Sequence, residues 1–175
     1  NCDMKATTIL AFLFLICAAF PLYAEDINDL TYDASGATVT ITDCDTAASG
    51  ALIIPETIEG KPVTSIGDYA FASCTSLTSV IIPEGVTSIG SGAFYDCSSL
   101  ASVTLPNSVT SIRKYAFRGC TSLTSIAIPE GVTSIEDNAF YNCTSLTRIA
   151  VSEGNMAYSS GDGVLFNKAK TILLV

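Results

Sequence analysis

From Leu52 onward the apolar residues of this chain fall into columns. Leu77, Leu100, Leu123 and Leu146 stand 23 residues apart. The same step separates Cys74, Cys97, Cys120 and Cys143, and likewise Phe71, Phe94, Phe117 and Phe140. Ile66, Ile89, Ile112 and Ile135 keep it too, as do Pro83, Pro106 and Pro129. In the unit that begins at Leu77, the inward positions are Leu77, Val80 and Ile82, and the alternation of Val80 with Ile82 predicts a strand. Pro83 stops that strand because it has no N–H to donate. Glu84-Gly85 turns the chain, with Gly85 and Gly131 free to take positive φ; Ser108 holds that place in the middle unit. Val86 to Ile89 is a second short extended piece. Gly90 to Cys97 carries Ala93, Phe94 and Cys97 at the spacing of one or two helical turns. A fixed period of this length is the signature of a solenoid, in which each unit buries its apolar side only against its neighbours.

The flanks break the pattern. Met4-Lys5 followed by the apolar run Ile9 to Phe20, then Pro21-Leu22-Tyr23-Ala24 and the acidic Glu25-Asp26, reads as a secretory signal peptide over 4–24. The run is shorter than the roughly 20 residues a membrane span needs. Asn1-Cys2-Asp3 lies ahead of that start and is excluded. Residues 25–51 read as N-terminal strands that cap the array. Four copies of the repeat occupy 52–152, the first enlarged by ETIEGKP between Pro55 and Val63. In 153–175 the register loosens into a divergent, truncated terminal repeat. There the tail predicts a hairpin, Gly163 to Phe166 against Thr171 to Val175 across a polar Asn167–Lys170 turn. The uncapped Ile172–Val175 end predicts that the natural chain continues past Val175.

The motif L-x-x-[VI]-x-[IL]-P-x-x-V-T-S-I-x-x-x-A-F-x-x-C, carried from Leu52 to about Val151, resembles the BspA-type leucine-rich repeats of microbial surface proteins. The resemblance implies a β-rich α/β right-handed solenoid with short strands and one short helical or 3-10 turn per repeat. It also implies secretion or cell-surface display, and binding or adhesion to proteins.

Composition narrows the function. The chain is 49% hydrophobic and only 14% charged, with 17 acids against 8 bases and a net charge of −9. That balance disfavours nucleic acid, whose phosphates it would repel, and anionic membrane surfaces. There is no His, so the commonest general base and zinc ligand and every Ser-His or Cys-His nucleophile are missing. The expectation is a protein-binding, non-enzymatic chain with no cofactor and no metal. The partner would be an extracellular or cell-surface protein, with no nucleic acid and no membrane insertion after signal cleavage. The alternative is a structural spacer that displays another domain beyond residue 175. The Cys column, together with Cys44, puts five thiols in the processed chain. A step of 23 residues fits no zinc pattern, and parallel ladder side chains do not point at one another, so these thiols read as buried and apolar. Asp26, Asp29, Asp33, Asp43 and Asp45 lack the dense spacing of a calcium loop.

Two surfaces remain for recognition. On the strand side the outward positions are Ser79 and Ile81, Ser102 and Thr104, Ser125 and Ala127, then Arg148 and Ala150. On the other side, variation gathers around the Ala-Phe turn: Asp68 and Tyr69, Tyr95 and Asp96, then Arg113, Lys114, Tyr115 and Arg118. Glu136, Asp137, Asn138 and Tyr141 complete it. Tyr and Arg are the types most enriched in interface hot spots, and Arg113, Lys114 and Arg118 form a basic patch flanked by acids.

Overall fold

The computed structural model describes residues 27–168. The expected signal peptide over 4–24 and the Thr171–Val175 arm of the expected hairpin lie outside them. Each repeat contributes two extended segments, and the strands of successive repeats stack in parallel with the 23-residue register of the sequence. One line of strands is β3 (Ser49–Ile53), β6 (Ser76–Ile81) and β8 (Ser102–Thr104), continued by the pair β10 (Ser125–Ile128) and β12 (Arg148–Val151). Here Ser79 lies beside Ser102, Val80 beside Val103 and Ile81 beside Thr104. Ser125 lies beside Arg148 in the same way. The second line runs through β2 (Val39–Cys44), β5 (Lys61–Ile66), β7 (Ser88–Ile89), β9 (Ser111–Ile112) and β11 (Ser134–Ile135). β1 (Leu30–Asp33) closes its edge by antiparallel pairing with β2, so the first rung presents a covered flank.

Between the two lines sits a core of repeated columns. Leu77, Leu100 and Leu123, Ile66, Ile89 and Ile112, and the Ala-Phe pairs of each turn are buried. The phenylalanines form a continuous stack. Phe71 and Phe94 have ring centroids 4.9 Å apart, Phe94 and Phe117 5.2 Å, and Phe117 and Phe140 5.6 Å, all nearly parallel. These separations suit offset stacking, which adds to the large apolar burial of each ring.

The short helical or 3-10 turn expected in each repeat does not form. Among the described residues the one helical element is a 3-10 turn at Ile27–Asp29. Gly90–Cys97 is instead a train of tight turns whose N–H groups alternate between two destinations. Ala93, Tyr95 and Cys97 donate three residues back, to Gly90, Gly92 and Phe94. Gly92, Phe94 and Asp96 donate across to the next rung, to the carbonyls of Lys114, Ala116 and Arg118. A helix would need every N–H to bond within its own segment; here half of them tie one coil to the next. The backbone geometry enforces this. Each turn holds two left-handed residues four apart, at Tyr69 and Ser73, Gly92 and Asp96, Tyr115 and Gly119, and Asn138 and Asn142. No right-handed helix passes through such a residue.

Two irregular segments fit the same frame. The insertion in the first repeat folds as a small hairpin, β4 (Thr57–Ile58) against β5, across Glu59-Gly60 with positive φ at both residues. That is the turn geometry that matches strand twist. Glu59 accepts a hydrogen bond of 3.1 Å from the Tyr32 hydroxyl, which anchors the insertion to β1. At the other end Asn155 takes the place of the column valine and is fully buried. Its amide donates to the carbonyls of Pro129 and Val132 at 2.7 and 2.9 Å, and its oxygen accepts from the N–H groups of Ala157 and Tyr158. A fully paired buried amide costs little and fixes one conformation. The Tyr158 hydroxyl accepts from Ile135 N–H at 2.8 Å. β14 (Val164–Asn167) pairs antiparallel with the preceding β13 (Tyr158–Gly161) across Asp162-Gly163.

Candidate functional site

The strand-side positions form a shallow row. Ser102, Thr104, Ser125 and Arg148 are exposed, whereas Ser79 and Ile81 are half-buried. Threonine hydroxyls elsewhere in the repeats are committed to the stack. Thr110 donates to the carbonyl of Thr87 at 3.1 Å, Thr133 to Thr110 at 3.3 Å, and Thr147 to Thr124 at 3.3 Å. Much of the Thr polarity therefore serves the repeat rather than a partner.

The turn side is different. Arg118 occupies the column that holds Tyr95 one rung before it and Tyr141 one rung after. Its guanidinium carbon lies 5.0 Å from the Tyr95 ring centroid, 5.4 Å from that of Tyr141 and 5.5 Å from that of Tyr115. One cation is thus held by three aromatic faces, each contact within the range of a favourable cation–π interaction. Lys114 adds a fourth contact, with its amine 4.9 Å from the Tyr115 centroid. The ladder extends down to Tyr69, whose ring is 6.3 Å from that of Tyr95 and lies over Gly92. A side chain at Gly92 would clash with the Tyr69 ring, so the missing side chain makes room for the aromatic. Arg113 and Lys114 are exposed, and the rim carries acids: the Glu136 carboxylate accepts the Lys114 N–H at 3.0 Å, and Asp68 accepts the Ser91 N–H at 2.7 Å.

The sequence groups Tyr95, Arg113, Lys114, Tyr115, Arg118 and Tyr141 by their variability, residue type and basic charge; the structure makes the three tyrosines and Arg118 one contiguous cluster. What that grouping misses is strain. Tyr69 and Tyr115 sit at φ of 57° and 61°, where the sister repeats use Gly92 and Asn138. Positive φ is an outlier for a bulky residue and costs about 1–2 kcal/mol. A signal existed in the aligned repeats: five of the eight left-handed positions are Gly, Asn or Asp.

The cysteines behave as a second column of contacts. Cys44, Cys74, Cys97, Cys120 and Cys143 are all free and buried. Cys97, Cys120 and Cys143 donate from Sγ to the carbonyls of Phe71, Phe94 and Phe117 at 2.9, 3.1 and 3.0 Å. Burial pushes the Cys97 thiol up to about 12 and the Cys143 thiol to about 11, and raises Cys120 still further. These thiols are donors, not nucleophiles. No group of three or more His, Cys, Asp or Glu converges as a metal site among the described residues. No helix among them is long and apolar enough to cross a membrane.

The profile of the BspA type leucine rich repeat region matches residues 52–167 in six copies. The chain belongs to that family. Its repeats resemble solved bacterial structures. A leucine-rich repeat protein from Bacteroides capillosus is 31% identical at a TM-score of 0.63, over 72% of this chain and 96% of that one. The T. pallidum leucine rich repeat protein is 28% identical at a TM-score of 0.60, over 70% and 69%. A leucine rich cell surface protein from Faecalibacterium prausnitzii is 28% identical at a TM-score of 0.51, over 86% of this chain but 59% of that one. No curated protein matches the sequence.

Proposed function

We propose that this BspA-type repeat chain is an exported, non-enzymatic, adhesin-like module that binds an extracellular or cell-surface protein through its turn-side ladder. The observation that carries the reading is the cluster of Arg118 with Tyr95, Tyr115 and Tyr141. It gathers aromatic faces and positive charge on a chain of net charge −9, with three of the eight basic residues within six positions. Such a patch suits a partner surface that brings carboxylates to Arg113, Lys114 and Arg118 and apolar area to the tyrosines. The strained Tyr69 and Tyr115 support it, since strain kept where a Gly or Asn would relax the backbone points to a role outside folding. Stacked coils hold these side chains on a rigid frame, which lowers the entropy lost on binding. The cell-surface description of the Faecalibacterium relative agrees with display outside the cell.

The test is capture of purified matrix and cell-surface proteins by the immobilised chain, with saturation and competition measured. Saturable capture of one protein supports the module. A folded chain that captures none would favour the structural spacer.

A further inference from the structure

The geometry points to a disulfide between Cys44 and Cys74 that locks the N-terminal cap to the first repeat when the chain meets an oxidising medium. Cys74 is the bottom member of the cysteine column, and it lacks the arrangement of the others. Where the higher thiols donate to a Phe carbonyl at 2.9 to 3.1 Å, Cys74 reaches only the carbonyls of Cys44 and Asp45, at 3.8 and 3.7 Å. Cys44, at the end of β2, belongs to no column. Its own Sγ contacts the same Asp45 carbonyl at 3.7 Å. Both thiols thus reach the same Asp45 carbonyl, which brings two cysteines from different elements onto one acceptor. The column thiols are parallel and each engaged with backbone; this pair converges from two different elements and is held weakly.

The surroundings favour the bond. β2 ends at Cys44, and the exposed turn Asp45–Ala47 covers the pair before β3 begins, so a small opening of that turn admits a reagent. The hydrogen bond from Cys44 holds the Cys74 thiol below its ordinary value, against burial and the neighbouring acids, which makes Cys74 the first to ionise. The Cys74 thiolate attacks a small-molecule disulfide, one sulfur of which leaves as thiolate and takes up a proton. Cys44, deprotonated in turn, then attacks Cys74 Sγ of the mixed disulfide and expels the second thiol. One disulfide is reduced to two thiols while the two cysteines are oxidised. The link closes a loop of about 30 residues and removes the freedom of the cap to peel from the first rung.

The experiment is a cysteine map of the full chain after refolding with glutathione disulfide: alkylation under denaturing conditions without reduction, digestion and mass spectrometry. The expected result is a joined Cys44 and Cys74 peptide pair, two hydrogens lighter than the sum, with Cys97, Cys120 and Cys143 alkylated. Cys44 and Cys74 both carrying the alkyl label, or each linked to some other cysteine, would overturn it. Hydrogen exchange of wild-type protein adds a readout without any variant. Oxidation should slow exchange at the β1–β2 amides at least tenfold, and unchanged exchange there would refute a locked cap.

Discussion

Replacing Cys120 separates two accounts of the cysteine column. Cys120 is fully buried, and its Sγ lies 3.1 Å from the Phe94 carbonyl. That carbonyl otherwise accepts only the Cys97 N–H, at 3.3 Å. Cys120→Ala therefore removes a hydrogen bond of about 1 kcal/mol. It also removes the burial of one sulfur, close to the 0.8 kcal/mol of a methylene. The total is about 2 kcal/mol, or about 4–8 °C in Tm for a chain of this size. Cys120→Ser keeps a donor and loses mainly apolar contact, so it should cost about 1 kcal/mol. If the column were plain apolar filling the order would reverse, because a buried hydroxyl without a partner costs about 1–3 kcal/mol while alanine leaves only a small void. Urea unfolding followed by far-UV circular dichroism reads the difference as a shift of midpoint at constant slope. Serine as costly as alanine, or costlier, would refute the hydrogen-bonding role.

Two further outcomes follow from the same geometry. The thiols of Cys97 and Cys143, raised to about 12 and about 11 from an ordinary 9.0, stay protonated in the fold where the unfolded chain ionises. Stability should then be level below pH 9 and fall above it, by up to about 1.4 kcal/mol per pH unit for each thiol. Urea midpoints from pH 7 to 10.5 test this, and a chain with serine at Cys97, Cys120 and Cys143 should lose most of the slope. Tyr115→Asn should change stability by no more than about 1 kcal/mol. Relief of the left-handed strain, about 1–2 kcal/mol, offsets two exposed cation–π contacts of about 0.5–1 kcal/mol each. Partner capture should weaken in the same variant, and a stability loss above 2 kcal/mol without weaker capture would make the ring structural.

The repeat was legible because its signal is redundant. Columns of Leu, Ile, Val and Phe fix the register, and the register fixes which strands pair: Ser79 beside Ser102 and Ser125 beside Arg148 are both 23 apart. The turn conformation was not legible from one unit. Ala93, Phe94 and Cys97 have helical spacing, yet their N–H groups go alternately inward and to the next coil, a choice made between repeats. Only the column Tyr69, Gly92, Tyr115 and Asn138, read together with Ser73, Asp96, Gly119 and Asn142, discloses the left-handed positions. The gathering of Tyr95, Arg118 and Tyr141 was implicit in the same step. The approach of Cys44 to Cys74 was not, because the cap carries no repeat to align.

The turn-side ladder as a protein-binding surface is the claim on which the account rests. The most direct measurement compares capture of the bound protein by the wild type, by Arg113→Glu/Lys114→Glu/Arg118→Glu, and by the strand-side control Ser102→Glu/Thr104→Glu. All three must have matched circular dichroism spectra. The account predicts at least a tenfold loss of affinity for the triple charge reversal, since three charge contacts at about 0.5 kcal/mol or more each make a tenfold change. It predicts wild-type affinity for the control. Undiminished capture by the triple variant, with loss in the control, would contradict it and move the interface to the strand row.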